Sequence, residues 1–314
     1  MEISNSSITT EFILVGLSSA PGYQSLIFWA FIFIYAAALS GNVLLILAIG
    51  TCSKLHTPMY FLLVNLSLVN VCSISITVPK MLQNVLTHKR SISFSGCITQ
   101  VFLFVWALGT EILLLSFMAF DRYAAICQPF HYSVIMRKEV CIGVAAGLWI
   151  MGMVNSVVNT GLLLKLSFCS SKVINHFFCD LPPLWKLSCS DISLNETMAF
   201  AADVTFTMSS CALTLISYLL ILRAILKIQS VQGKKKAFST CSSHLLVVSF
   251  YFSTIIYTYA KPSSANSLEE YKTVATIYSV VTPVLNPIIY SLRNKDVKEA
   301  LGKLICKSGA SQQE

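Results

Sequence analysis

The 314-residue chain is 55% hydrophobic and only 11% charged, with a mean hydropathy of +0.71. Soluble domains carry about 25% charged residues, so this composition excludes ordinary cytosolic domains and points to an exterior largely covered by lipid. The net charge of +8 is spread over short segments and not gathered in one basic domain, which argues against a nucleic-acid partner.

A membrane-crossing helix needs about 20 apolar residues. Seven stretches supply them: 26–50, 59–79, 97–120, 140–164, 197–222, 237–260 and 273–292. The expected fold is therefore all-α, a seven-transmembrane helix bundle. An outer segment 1–25 precedes a bundle domain 26–292, and an inner helix and tail 293–314 follow it. The first 20 residues hold Glu2 and Glu11 but no basic start, so the first span is expected to act as an uncleaved signal anchor. With the N-terminus outside, 14 of the 22 Lys and Arg fall on the inner side and 8 on the outer side, which satisfies the positive-inside tendency. Those inner cations, Lys234, Lys235 and Lys236 above all, then lie beside anionic membrane lipids. The outer run His88-Lys89-Arg90 goes against the tendency. Glycosylation sequons at Asn5 and Asn195 face the lumen in this orientation.

In chain order, Pro58 prepares the start of the second helix. On the third span, Phe104, Val105, Leu108, Gly109 and Ile112 share one helical face, with Glu111 well inside. At its inner end stands Asp121-Arg122-Tyr123. An Asp-Arg pair is costly there unless each charge has a partner. The pair can close on itself, or open and free the rigid Arg122 fork for a docking partner; snorkelling of Arg122 to the interface is the plainer alternative. Cys97, Cys169, Cys179 and Cys189 share the oxidising side, where four thiols allow three pairings. The other seven cysteines lie in spans or on the inner side, where disulfides are rare.

Asp203 stands roughly two turns inside the fifth span, three residues before Phe206 on the same face. An unpaired carboxylate there costs several kcal/mol, which leaves three readings. It is a neutral acid that hydrogen-bonds an alcohol, ketone or ester, it pairs with Lys165 or Lys186 from the outer loop, or it meets a protonated amine ligand. On the sixth span, His244 is an intramembrane imidazole expected to face a polar partner, and Phe252, Ile255, Ile256 and Tyr259 share one face. The seventh reads Pro283-Val284-Leu285-Asn286-Pro287-Ile288-Ile289-Tyr290. Pro287 removes a backbone donor and kinks the helix, leaving Asn286 as a polar hinge and Tyr290 on the inner side. Beyond it, Val297, Leu301, Leu304 and Ile305 make one face of a short helix on the inner membrane surface, with Cys306 a candidate palmitoylation site.

The Asp-Arg-Tyr run and the Asn-Pro-x-x-Tyr run together resemble the rhodopsin-like (class A) G-protein-coupled receptors. Pro58-Met59-Tyr60-Phe61-Leu62, Pro129-Phe130-His131-Tyr132, Ser217-Tyr218, Lys236-Ala237-Phe238-Ser239-Thr240-Cys241-Ser242-Ser243-His244 and Ser291-Leu292-Arg293-Asn294-Lys295 resemble vertebrate odorant (olfactory) receptors. The resemblance implies bridges Cys97–Cys179 and Cys169–Cys189. It implies an inner switch of Asp121, Arg122, Tyr123, Tyr218, His244, Asn286, Pro287 and Tyr290. It also implies that Phe104, Val105, Leu108, Gly109, Ile112, Asp203, Phe206, Phe252, Ile255, Ile256 and Tyr259 line the site of a small volatile odorant. Spacing alone leaves those faces as ordinary packing. The implied partner is a stimulatory olfactory heterotrimeric G protein that raises cyclic AMP, the implied location the plasma membrane of olfactory cilia, and receptor-transporting chaperones the implied route there. Two departures stand out. The second span has Leu66-Ser67-Leu68-Val69-Asn70 where such receptors carry an acid at the last position, so cation binding with Glu111 is in question. The sixth has Tyr251-Phe252-Ser253-Thr254 in place of Phe-Tyr-Gly-Thr.

A transporter needs repeat symmetry and interrupted helices, which the sequence does not show. An enzyme is disfavoured because Glu111, Asp203 and His244 sit on three different spans. Neither a cofactor nor a metal is expected.

Overall fold

A computed structural model describes residues 10–17, 21–169, 171–260 and 267–310. The expectations at Asn5, and those for the side chains of Ile255, Ile256, Tyr259, Ile305 and Cys306, lie outside the described residues.

Each apolar stretch forms a helix, and most of these helices begin in polar residues ahead of the stretch. The helices are α1 (Pro21–Thr51), α2 (Pro58–Thr87), α3 (Phe94–Cys127), α4 (Lys138–Leu163), α5 (Ser193–Lys227) and α6 (Val231–Ala260). α7 is continuous through Ser267–Thr276, Ile277–Val281 and Thr282–Arg293, and α8 spans Lys295–Ala310. Among the described residues six helices are long and apolar enough to cross a membrane: α1 to α5, and α7 over Tyr271–Ser291. Their outward faces are apolar. Leu26, Trp29 and Phe33 of α1, Ile150, Val154 and Val157 of α4, and Leu215, Leu219 and Leu222 of α5 are all exposed, an arrangement that suits lipid and would be an aggregation liability in water.

α3 is the axis. Its apolar window is 72% buried, against 28% for α1 and 22% for α4 and α5. Gly152 sets the α3–α4 approach: a methyl group there would come within 3.0 Å of the Trp106 carbonyl oxygen. Small residues permit such close backbone contact between membrane helices.

On the face bearing the disulfides, three short strands form a cap. Glu11–Leu14 pairs antiparallel with Ser91–Ser93 and parallel with Val173–Ile174. Phe12 is fully buried there, its ring 5.9 Å from Phe94 and 5.5 Å from Phe168. The bridge Cys97–Cys179 ties the loop between α4 and α5 to α3, and Cys169–Cys189 closes that loop on itself. The pairing is the one the family resemblance implies.

Near mid-bundle, an amide chain replaces the expected acid. Asn70 donates to Asn42 Oδ1 (3.2 Å) and accepts from Asn286 Nδ2 (3.2 Å), while Asn42 Nδ2 donates to the Pro283 carbonyl (2.9 Å). All three side chains are buried. An amide both donates and accepts whereas an ionised carboxylate only accepts, so Asn70 joins α1 to α7 in a way a carboxylate does not. Replacing Asn70 with Leu is expected to destabilise the bundle by roughly 1–3 kcal/mol, because two partners are left unsatisfied. The thermal midpoint of the solubilised protein checks this, and an unchanged midpoint contradicts it.

Beyond α7, Val297 and Ala300 of α8 are buried against the bundle. Tyr60 and Asn294 exchange hydrogen bonds across the α7–α8 turn.

Candidate ligand cavity and helix switch

Below the cap lies a cavity of about 250 Å³ between α3, α5, α6, α7 and the α4–α5 loop. Phe104, Val105, Leu108, Gly109 and Ile112 supply its α3 wall, and Asp203, Phe206 and Thr207 its α5 wall. The α5 wall is a π-helical turn, Asp203–Met208, and α7 carries another at Ile277–Val281. Each adds a residue to the turn and re-aims the side chains beside it, a feature common at functional sites. Tyr278 of the second turn also lines the cavity.

The roof is the loop residue Asp180 with Leu181, Pro182 and Trp185. Asp180 follows Cys179 directly, so the first disulfide fixes its position. The Tyr271 and Tyr278 hydroxyls donate to Asp180 Oδ2 at 2.6 and 3.3 Å, and the Leu181 N–H to Oδ1 at 2.8 Å. Burial pushes the Asp180 carboxyl above the usual carboxylate range, while these three donors pull the other way. The loop is thereby tied to the first turns of α7.

At depth, Tyr251 of α6 lines the cavity with its hydroxyl buried and without a hydrogen-bond partner among the described residues. An unsatisfied buried donor is costly, and a ligand acceptor would relieve it.

The opposite end of α3 carries a separate constellation. Arg122 closes on Asp121 through Nε (2.9 Å) and through an Nη2 contact, and the Tyr132 hydroxyl donates to the other Asp121 oxygen at 2.8 Å. Both charges are buried, so this is a paired clamp and not a snorkelling arginine. Alongside, His244 Nε2 lies 3.1 Å from the Leu115 carbonyl and Nδ1 lies 2.7 Å from the Tyr218 hydroxyl. A carbonyl only accepts, so Nε2 carries the proton and Nδ1 accepts from Tyr218. The imidazole therefore stitches α6 to both α3 and α5. Asn286 belongs to the amide chain, and Pro287 sits inside α7 against Gly41, where an added methyl would lie 3.2 Å from the ring. Tyr290 is buried with an unpartnered hydroxyl. Tyr123 points away from the clamp and accepts from Gln128 Nε2 at 3.3 Å.

A family model described as olfactory receptor matches residues 31–308. The chain is 48% identical to the mouse olfactory receptor 5AP2 over 302 residues, covering 96% of this chain and 95% of that protein. It is 46% identical to the human olfactory receptor 13G1 over 300 residues (96% and 98% covered) and 45% identical to the rat olfactory receptor 1f45 over 313 residues (100% of both). The chain belongs to the olfactory receptor family. It is thus a class A G-protein-coupled receptor and not an enzyme, and its relatives are multi-pass plasma-membrane proteins.

Within this olfactory receptor, the α3 and α5 residues singled out from sequence converge on one cavity, but Phe252 does not. It is buried in the central core, while Tyr251 and Thr254 face the cavity. The correction is one of helix rotation. Each residue turns about 100° around the axis, so the stripe through 252 and the stripe through 251 and 254 present different faces. Lys165 and Lys186 are both exposed. Asn195 is buried on the first turn of α5. Sequence reasoning missed Asp180, Tyr271, Tyr278 and Tyr132. The signals were the Cys179 beside Asp180, the seven-residue spacing of the two α7 tyrosines, and the place of Tyr132 just after the inner end of α3.

Proposed function

We propose that this receptor has seven spans with its N-terminus outside, binds small volatile odorants in the α3–α5–α6–α7 cavity, and couples to a stimulatory olfactory G protein that raises cyclic AMP. The observation that carries this reading is the pairing of a mostly apolar cavity at one end of α3 with a self-closed, buried Asp121–Arg122 clamp at the other. A ligand gains affinity above chiefly by apolar burial. Below, opening of the clamp presents the Arg122 fork to a partner's backbone carbonyls. The Tyr218–His244–Leu115 link is the contact that an outward swing of α6 has to break. A cyclic-AMP reporter in cells expressing the full chain, screened with a broad odorant panel, tests the reading. Ligand-dependent cyclic AMP is expected, and solute flux in its place overturns it.

The lining also sets ligand class. It holds two carboxyl groups, Asp180 and Asp203, and no basic side chain among the described residues. Carboxylic acids are therefore expected to be inactive, with neutral odorants and amines as the agonists. Asp203→Asn is expected to weaken amine responses by about tenfold or more, the scale of a charge-assisted contact, and neutral odorants by less. Equal loss across both classes points to a structural role and sinks the direct contact. Tyr251→Phe is expected to raise EC50 about three- to tenfold for carbonyl-bearing odorants while leaving hydrocarbons unchanged. An equal shift in both removes its hydroxyl from the ligand site.

A further inference from the structure

A second cavity, of about 350 Å³, lies on the same face between the N-terminal strand and the outer ends of α1 and α2. Its size falls at the lower end of small-molecule pockets, roughly 300–1,000 Å³. It does not belong to the odorant cavity: no lining residue is shared between the two. Its walls are preformed. The Leu14 N–H donates to the Arg90 carbonyl at 2.7 Å and the Gly16 N–H to the His176 carbonyl at 3.1 Å, with Gly16 at φ +85° turning the strand toward α1.

Three features of its lining point to one ligand chemistry. His88 and Arg90 place basic groups at its mouth. They belong to the run that the positive-inside tendency leaves unexplained, and no side chain among the described residues pairs with Arg90. His88 holds its place with φ +53°, a left-handed conformation uncommon for a non-glycine residue. Asn84 is 7% exposed, and its carboxamide oxygen is buried in the lining without a hydrogen-bond donor. A native buried acceptor normally has a partner, so the site lacks an O–H or N–H group. Apart from Gln24, the remaining side chains are apolar, Ile27, Met81, Val85 and Phe177 among them.

We propose that this cavity is a second ligand site, for an acidic amphiphile: a short acyl chain ending in a carboxylate, with a hydroxyl near the head. The carboxylate meets Arg90 and His88, the hydroxyl donates to Asn84, and the chain lies along Ile27, Met81 and Phe177. The site is opposite in charge to the odorant cavity and does not depend on that cavity's assignment. Because its wall includes the strand that caps the bundle, occupancy braces the strand against α2.

Saturable binding of tritiated 3-hydroxyoctanoate to the full-length receptor in phosphatidylcholine nanodiscs tests it, with octanoate and octan-1-ol as comparators. The expected order is 3-hydroxyoctanoate, then octanoate, with octan-1-ol showing no saturable component. Arg90→Gln is expected to weaken 3-hydroxyoctanoate about tenfold or more. Asn84→Leu should abolish the advantage of the hydroxy acid over octanoate while retaining octanoate itself, which separates loss of the contact from loss of the fold. Ile112→Trp, which fills the odorant cavity, should leave this binding unchanged. Equal binding of octan-1-ol, insensitivity to Arg90→Gln, or loss with Ile112→Trp each overturns the proposal.

Discussion

Replacing Cys97 or Cys179 with serine is expected to remove the receptor from the cell surface and abolish signalling. The bridge joins residues 82 apart in sequence, and both cysteines are fully buried. A constraint over a loop of that size contributes roughly 4 kcal/mol through the unfolded chain, a large share of a typical stability of about 5–15 kcal/mol. The local consequences add to this. The Cys179 N–H donates to Gln100 Oε1 at 2.8 Å, and Gln100 Nε2 donates to the Ile76 carbonyl at 2.7 Å, so loop, α3 and α2 meet at the bridge. Asp180, in the roof of the proposed odorant cavity, is the next residue. Losing the bridge therefore loosens the site as well as the fold. Cys169–Cys189 spans only 20 residues, and both cysteines are exposed; its removal is expected to do less. Surface immunostaining with cyclic-AMP readout in the four Cys→Ser variants tests the ranking. Normal trafficking and signalling of Cys97→Ser contradicts it.

Arg122→Ala is expected to silence the cyclic-AMP response while leaving the receptor at the surface. Among the described residues Arg122 hydrogen-bonds its neighbour Asp121 in the closed clamp, and Asp121 keeps the Tyr132 hydroxyl when the arginine is gone. The fold therefore loses one intrahelical pair at the end of α3, whereas the open state loses its donor fork altogether. Arg122→Gln retains a polar side chain and guards against a folding artefact. Both variants should reach the surface at near-normal levels with responses at the detection floor. Full signalling by either at normal expression removes Arg122 from the switch. Tyr132→Phe provides a graded companion. It frees one Asp121 oxygen and should raise basal cyclic AMP severalfold, since a neutral-to-charged hydrogen bond contributes about 1.5–3 kcal/mol to the closed state; unchanged basal signal shows that the clamp does not depend on Tyr132.

Long apolar runs declared the membrane helices, because without water every backbone group has to pair within its own segment. Local chemistry was equally direct. An Asp-Arg pair at a helix end asks for a partner, and Arg122 closes on Asp121; four cysteines on one side ask for bridges, and all four are paired. Helix rotation was not legible: nothing in Tyr251-Phe252-Ser253-Thr254 says which of two adjacent aromatics faces the cavity. Nor were the π-helical turns at Asp203–Met208 and Ile277–Val281, which decide where Phe206 and Tyr278 point and which no residue in them announces. The hydrogen bonds Asp180–Tyr271, Asp180–Tyr278, Asn42–Asn70 and Asn70–Asn286 join side chains 28 to 216 positions apart. Periodicity and local propensity act over a few residues, so the sequence determined which segments are helices and which charges need partners. Only the packing of those helices around α3, where burial leaves each polar atom a single set of neighbours, decided which partners they found.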